Sequence, residues 1–264
     1  MGSPTFTAIV QARMASTRLP GKALANLSGQ SLLFHVLKRA SKIQEVSATV
    51  LATSKNEENS PLILLADGMG LNTFAGSENN VLSRYCKAAE QFPADYIIRI
   101  TGDNPFTDID FADKTVELAK KTNADLCSFS NLPLGTAVEI VKTKALFKAL
   151  EKATKPYQLE HVTPYIKENP DQFKVVHKNA DFQNPFPNLR LTVDTAEDLE
   201  LAQLLYTALY RAEPFGLDAV IDYIKTHPEL IDINSHVEQR SMKSSAKSRA
   251  QKEAKDAKKT VRGK

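Results

Sequence analysis

The sequence predicts an α/β fold, a mostly parallel sheet with helices on both faces. Strand-like and helix-like segments alternate almost throughout the chain, and the strand-like ones are short, apolar and rich in β-branched residues. At 264 residues with 42% hydrophobic content, the chain can build one sizeable core.

The elements follow in order. Phe6 to Ala12 is an apolar run short enough for a buried strand, and a polar, basic loop follows it. Leu33, Val36, Leu37 and Ala40 recur at helical spacing, so a helix is expected over 32–43. Ala48 to Thr53 is the second strand. Ser60-Pro61 opens the next helix, since proline in a first turn forgoes an N–H that has no partner there. Leu71 to Ala75 is a third strand, 81–92 a helix, and Tyr96 to Thr101 a strongly β-prone strand. Residues 111–121 continue as helix and Asp125 to Phe129 extend.

From about residue 133 the pattern changes. A strand at 138–141, helices near 144–153 and 156–168, and a strand near 173–177 make 133–188 an expected substrate lobe inserted within a body spanning 1–240. Leu189 to Val193 reads as a final strand, and helices near 196–210 and 217–226 close the fold.

The formal charge of +3 is unevenly spread. Residues 241–264 carry nine Lys/Arg against two acids, leaving the rest of the chain at −4. A mildly acidic body argues against nucleic-acid binding, which needs basic residues across the folded surface. The tail has almost no large apolar residue to offset its ordering entropy and is expected to be disordered. Cys86 and Cys127 are too few for a disulfide scaffold and fit a reducing compartment. No signal peptide and no run of about 18 apolar residues is evident, so a cytoplasmic protein with no membrane partner is expected.

Ligands of open α/β sheets bind at the carboxyl ends of the strands. After the first strand comes QARMASTRLPGK, residues 11–22, with Arg13, Arg18 and Lys22 and the small residues Ser16, Thr17 and Gly21. Three cations among free backbone N–H groups suit a triphosphate, and a basic surface loop is the alternative. Neither a Walker A pattern nor GxGxxG is present. After the fourth strand, TGDNPFTD places Asp103 either as a ligand for a hard cation or as the head of an Asx-turn before Pro105. After the last, TVDTAEDLE offers Thr195 and Asp198 as a capping box, which leaves Asp194 available as a second metal ligand.

QARMASTRLPGK, with HVLKRA at 35–40, resembles the opening of cytidylyltransferases that make CMP-activated 2-keto-3-deoxy sugar acids. STRLPGK is close to the 3-deoxy-manno-octulosonate enzymes, while GSENNVLSRY, IIRITGDNPF and EHVTPYI are similar to the spore-coat polysaccharide branch. The resemblance covers about residues 6–210 and implies a Rossmann-like sheet, a lobe for substrate and dimerisation, a homodimer, and transfer of CMP from CTP to an acidic sugar.

It also implies roles for residues. Arg13 and Lys22 would bind the β- and γ-phosphates with Arg18 assisting, and Asp103 and Asp194 would hold Mg²⁺. Ala12, Ser16, Thr17, Thr53 and Arg84 would line the nucleotide site, and Thr101, Glu139, Glu160 and His161 the sugar site. The octulosonate enzymes have Gln at the position of Thr101, Glu at Asn104, and ATD where this chain has Ala52-Thr53-Ser54. Two rival readings are a sugar nucleotidyltransferase using another base and a glycosyltransferase using Asp108-x-Asp110. A third is a binding module without turnover.

Overall fold

The computed structural model describes residues 2–239. The expected basic tail, 241–264, lies outside the described residues. A seven-stranded sheet forms from β1 (Phe6–Gln11), β4 (Val46–Ser54), β5 (Asn72–Gly76), β6 (Tyr96–Thr101), β7 (Leu126–Ser130), β8 (Glu139–Lys142) and β9 (Val175–Asn179). Two short strands, β2 (Asn26–Leu27) and β3 (Gln30–Ser31), form a separate hairpin. The sheet order is β5-β4-β1-β6-β8-β7-β9, and only β8 runs against its neighbours. The segment expected as an inserted lobe, 133–188, thus contributes β8 and β9 to this same sheet.

Alternation along the strands divides the core in two. Phe6, Ala8 and Val10 of β1 and Tyr96, Ile98 and Ile100 of β6 face one layer, and Ile9 and Ile97 face the other. The first layer holds α1 (Leu32–Ala40), α2 (Ser60–Gly68), α4 (Ile109–Thr122), α8 (Ala196–Leu209) and α9 (Leu217–Thr226). The second holds α3 (Val81–Gln91), α5 (Thr143–Lys152), α6 (Pro156–His161) and α7 (Pro164–Glu168). Helix starts are fixed by side chains, as when Ser31, Asn80, Asp108 and Thr195 accept from N–H groups of the first turns they cap. Among the described residues no helix is long and apolar enough to cross a membrane.

Two expectations need correction. Leu189 to Val193 is buried and extended but is not a sheet strand; its hydrogen bonds go to two loops. Leu191 N–H donates to Leu134 O at 2.8 Å, and Val193 N–H to Asp103 O at 2.8 Å. The helix expected over 156–168 breaks at Val162, whose φ of 73° lies where β-branched residues are strained, and Pro164 starts a new helix.

The chain leaves β1 on one side toward β4 and β5 and returns on the other to β6, so the carboxyl ends of β1 and β6 flank the switch point. Gly102 lets the two meet, since a Cβ there would stand 2.7 Å from Ala12 Cβ and 2.9 Å from Gln11 O. Gly135, at φ +96°, does the same for 189–193. A Cβ on it would lie 2.5 Å from Thr192 N and 2.8 Å from Thr192 Cα, both backbone atoms. Gly135→Ala is therefore expected to destabilise the protein by about 2–4 kcal/mol, combining a strained φ with a backbone clash. Urea unfolding measures this, and an unchanged midpoint would contradict the packing described.

Candidate active site at the switch point

The basic loop after β1 curls over the carboxyl ends of the sheet. Gly21, at φ 71°, turns it into a short 3-10 helix at 22–24 that presents Lys22. Lys22 Nζ lies 3.2 Å from Asp103 Oδ2, 2.9 Å from Asp194 Oδ1 and 2.6 Å from the carbonyl oxygen of Val193. Two acids remote in sequence and one cation of the basic loop thus share a single point. Arg18 joins them with NH2 2.7 Å from Asp194 Oδ2.

Asp194 is placed by Arg190 and Asp198, the first of which sequence reasoning missed. Arg190 clasps Asp198 through Nε (2.8 Å) and NH2 (3.2 Å), and its NH2 also reaches Asp194 Oδ2 at 3.1 Å. The Asp198 side chain is 0% exposed and accepts further bonds from the N–H groups of Asp194 and Thr195 and from Asn234 Nδ2. The capping box of Thr195 and Asp198 is present. A charged Arg190 inside the apolar run Leu189–Val193 was the available signal, because a buried cation requires a partner. Burial pushes the Asp194 carboxyl up, but Lys22, Arg18 and Arg190 outweigh it and hold it below the usual carboxylate value.

Arg13 points the other way, toward β4 and β5. Its NH1 lies 3.3 Å from Glu78 Oε1, and Glu78 also meets Ser54 Oγ at 3.4 Å and Asn56 Nδ2. Asn59 ties the loop down by accepting Met14 N–H at 2.8 Å while donating to Ser54 Oγ at 2.7 Å. Glu78, Ser54, Asn56 and Asn59 were not anticipated, although Glu78 sits in the GSENN motif.

The other expected residues spread along the same rim. Ala12 is buried and donates to Ala52 O at 3.3 Å, Ser16 Oγ accepts Leu19 N–H at 3.3 Å, and Thr17 is exposed. Thr53 is fully buried with its hydroxyl unbonded, and Arg84 NH1 donates to Ser77 O at 2.6 Å. Thr101 pairs across the sheet with Gln11 and accepts from Asn104 Nδ2 at 2.8 Å.

Glu139, at the start of β8, joins a second network. It meets Arg99 NH1 at 3.0 Å, Thr163 Oγ1 at 2.9 Å and Lys167 Nζ. Burial raises its carboxyl, and Arg99 and Lys167 more than offset that. Glu160 and His161 occupy the last turn of α6, which packs on α3. Lys22 is brought together with Asp103 and Asp194, whereas Arg13 and Glu139 belong to neighbouring clusters.

Asp194→Asn takes the acid from Arg18 and leaves Lys22 with Asp103 and Arg190 with Asp198. It is therefore expected to lower stability at pH 7 by about 2 kcal/mol, less than for a fully orphaned buried charge. Because the native carboxyl titrates below its unfolded value, its contribution is complete above about pH 4. It is lost as pH falls through the lower native value, so the gap between wild type and Asp194→Asn should close in acid. Chemical unfolding across pH 2–7 tests this, and a gap that widens in acid would refute the assignment.

Comparison with known proteins gives this geometry a family. A family model described as cytidylyltransferase matches residues 7–229. The chain is 34% identical over 227 residues to the spore coat polysaccharide biosynthesis protein SpsF of Bacillus subtilis, covering 84% of this chain and 94% of that one. It is 30% identical over 138 residues to a 3-deoxy-manno-octulosonate cytidylyltransferase of Geobacter metallireducens, about half of each chain. The solved structure of a cytidylyltransferase from Leptospira borgpetersenii superposes with a TM-score of 0.81 at 28% identity, covering 90% of this chain and all of that one. With its Rossmann-like, mostly parallel sheet and the match across most of its length, the chain belongs to the cytidylyltransferase family.

Proposed function

We propose that the protein transfers CMP from CTP to the anomeric hydroxyl of an acidic sugar, with release of pyrophosphate, for surface polysaccharide synthesis. The observation that carries this reading is the meeting of Asp103 and Asp194 at Lys22 Nζ, 3.2 and 2.9 Å away. An all-oxygen point between two carboxylates, already holding one cationic head, fits Mg²⁺, which takes one or two carboxylates and completes its shell with phosphate oxygens and water. When bound there, Mg²⁺ supplies neutralisation of the phosphates and a lower pKa for the attacking hydroxyl.

The remaining roles belong to the chain. Asp103 and Asp194 hold the ion, while Arg13, Arg18 and Lys22 draw charge from the departing pyrophosphate. Ala12, Ser16, Thr17, Thr53 and Arg84 line the nucleotide side. Thr101, Glu139, Glu160 and His161 line the sugar side, where they orient the hydroxyl for in-line attack. The names of the SpsF and octulosonate relatives support the sugar class, and the family supports cytosine. A homodimer working in the cytoplasm completes the reading.

The glycosyltransferase alternative needs Asp108 at the ligand. Asp108 is 3% exposed, and its two oxygens accept Phe111 N–H at 2.8 Å and Leu217 N–H at 2.9 Å. Both oxygens serve helix starts, which favours nucleotidyl transfer.

A pyrophosphate-release assay pairing four nucleoside triphosphates with ulosonic and nonulosonic acids, with and without Mg²⁺, tests the proposal. Release is expected with CTP, an acidic sugar and Mg²⁺ together. Release only with another triphosphate, or no release with any acidic sugar of the set, would overturn it. Asp103→Asn is expected to lower turnover by at least about two orders of magnitude, matching loss of several kcal/mol of charge stabilisation. Near-normal turnover would remove Asp103 from the site.

A further inference from the structure

A lysine ammonium has three N–H donors and no more. Those of Lys22 are fully matched by Asp103 Oδ2, Val193 O and Asp194 Oδ1, at 3.2, 2.6 and 2.9 Å. The side chain is only 13% exposed. In this arrangement Lys22 has no donor to offer a phosphate without giving one of these up. The same contacts close Asp194, which has Lys22 on Oδ1 and both Arg18 and Arg190 on Oδ2, while Asp103 meets Lys22 through Oδ2. A divalent cation bridging Asp103 Oδ2 and Asp194 Oδ1 would stand where the ammonium now stands, and two cations repel strongly at that separation in a partly buried setting.

We propose that Lys22 is a place-holder for the divalent ion, filling the carboxylate pair until a metal–nucleotide complex draws its ammonium onto the phosphates. This rests on the nucleotidyl-transfer reading above and deepens it. The arriving polyphosphate provides the destination the lysine lacks, and its departure frees Asp103 Oδ2 and Asp194 Oδ1 together. Metal and nucleotide then bind with positive coupling, each raising the other's affinity by the same factor. Free metal alone faces an occupied site. The acids are also never left facing one another uncompensated, which preserves the loop geometry between turnovers.

The test measures Mn²⁺ binding by the loss of the free-ion electron paramagnetic resonance signal, with and without α,β-methylene-CTP, which cannot release pyrophosphate, each reading taken beyond the loss that the same analogue causes without protein. Wild type is expected to bind Mn²⁺ weakly alone and at least about tenfold more tightly with the analogue. Lys22→Met, which keeps the stem and removes the charge, is expected to bind Mn²⁺ alone at least about tenfold more tightly than wild type. Lys22→Arg, which keeps the charge, should not. Lys22→Gln carries the comparison if Lys22→Met does not fold. If wild type gains Mn²⁺ affinity with the analogue while neither uncharged variant gains any alone, the place-holder role is overturned and the nucleotidyl-transfer reading survives. If no protein binds Mn²⁺ even with the analogue, both fail.

Discussion

The mouth of the sheet depends on one enclosed ion pair, Arg190 with Asp198. A carboxylate with no exposed surface is costly unless every lone pair is used, and Asp198 accepts five hydrogen bonds from Arg190, Asn234 and the N–H groups of Asp194 and Thr195. What the pair provides is geometry. It fixes the backbone of residues 194 and 195 against the start of α8, and it leaves the Arg190 NH2 group able to donate to Asp194 Oδ2 as well. The segment that delivers Asp194 has no sheet ladder to hold it, so this pair does the work that strand pairing does for β1 and β6.

From there charge alternates outward. Arg190 supports Asp194, Asp194 gathers Lys22 and Arg18, and Lys22 reaches Asp103. On the far side, Arg13 rests on Glu78, itself supported from β4 and the loop beyond it. The basic loop read from the sequence as a phosphate cradle is therefore tied to acids on both sides. Each of the three cations thus has an acid beside it, Arg13 on one side of the loop and Arg18 and Lys22 on the other.

Much of the fold was legible in the sequence because β1, β4, β5, β6, β7 and β8 are apolar runs at the spacing an α/β chain requires. What was lost was lost for identifiable reasons. Leu189 to Val193 has the composition of a strand because it is buried, and composition does not reveal that its N–H groups find partners on two separate loops. The β2–β3 hairpin has two residues per strand, too few to carry a period. At the site, Lys22, Asp103 and Asp194 were visible because each lies in a polar segment that follows a short apolar run. Arg190 was signalled only by a charge inside an apolar run, and Glu78 only by its motif; which neighbour each faces is a property of the folded chain.

The reversal of β8 has its own consequence. Since β8 runs against β6 and β7, the connection from β7 turns back directly at 131–138 on the same rim as the loops that carry Lys22, Asp103 and Asp194, with no helical crossover. Its Leu134 and Gly135 are the surface against which residues 189–192 lie. One short hairpin thus serves as an adjustable shim. Changing its length or bulk would shift Asp194 and the rim beside it, while the half of the sheet from β1 to β6 kept its register. A fold organised this way can vary one side of its mouth without disturbing the other.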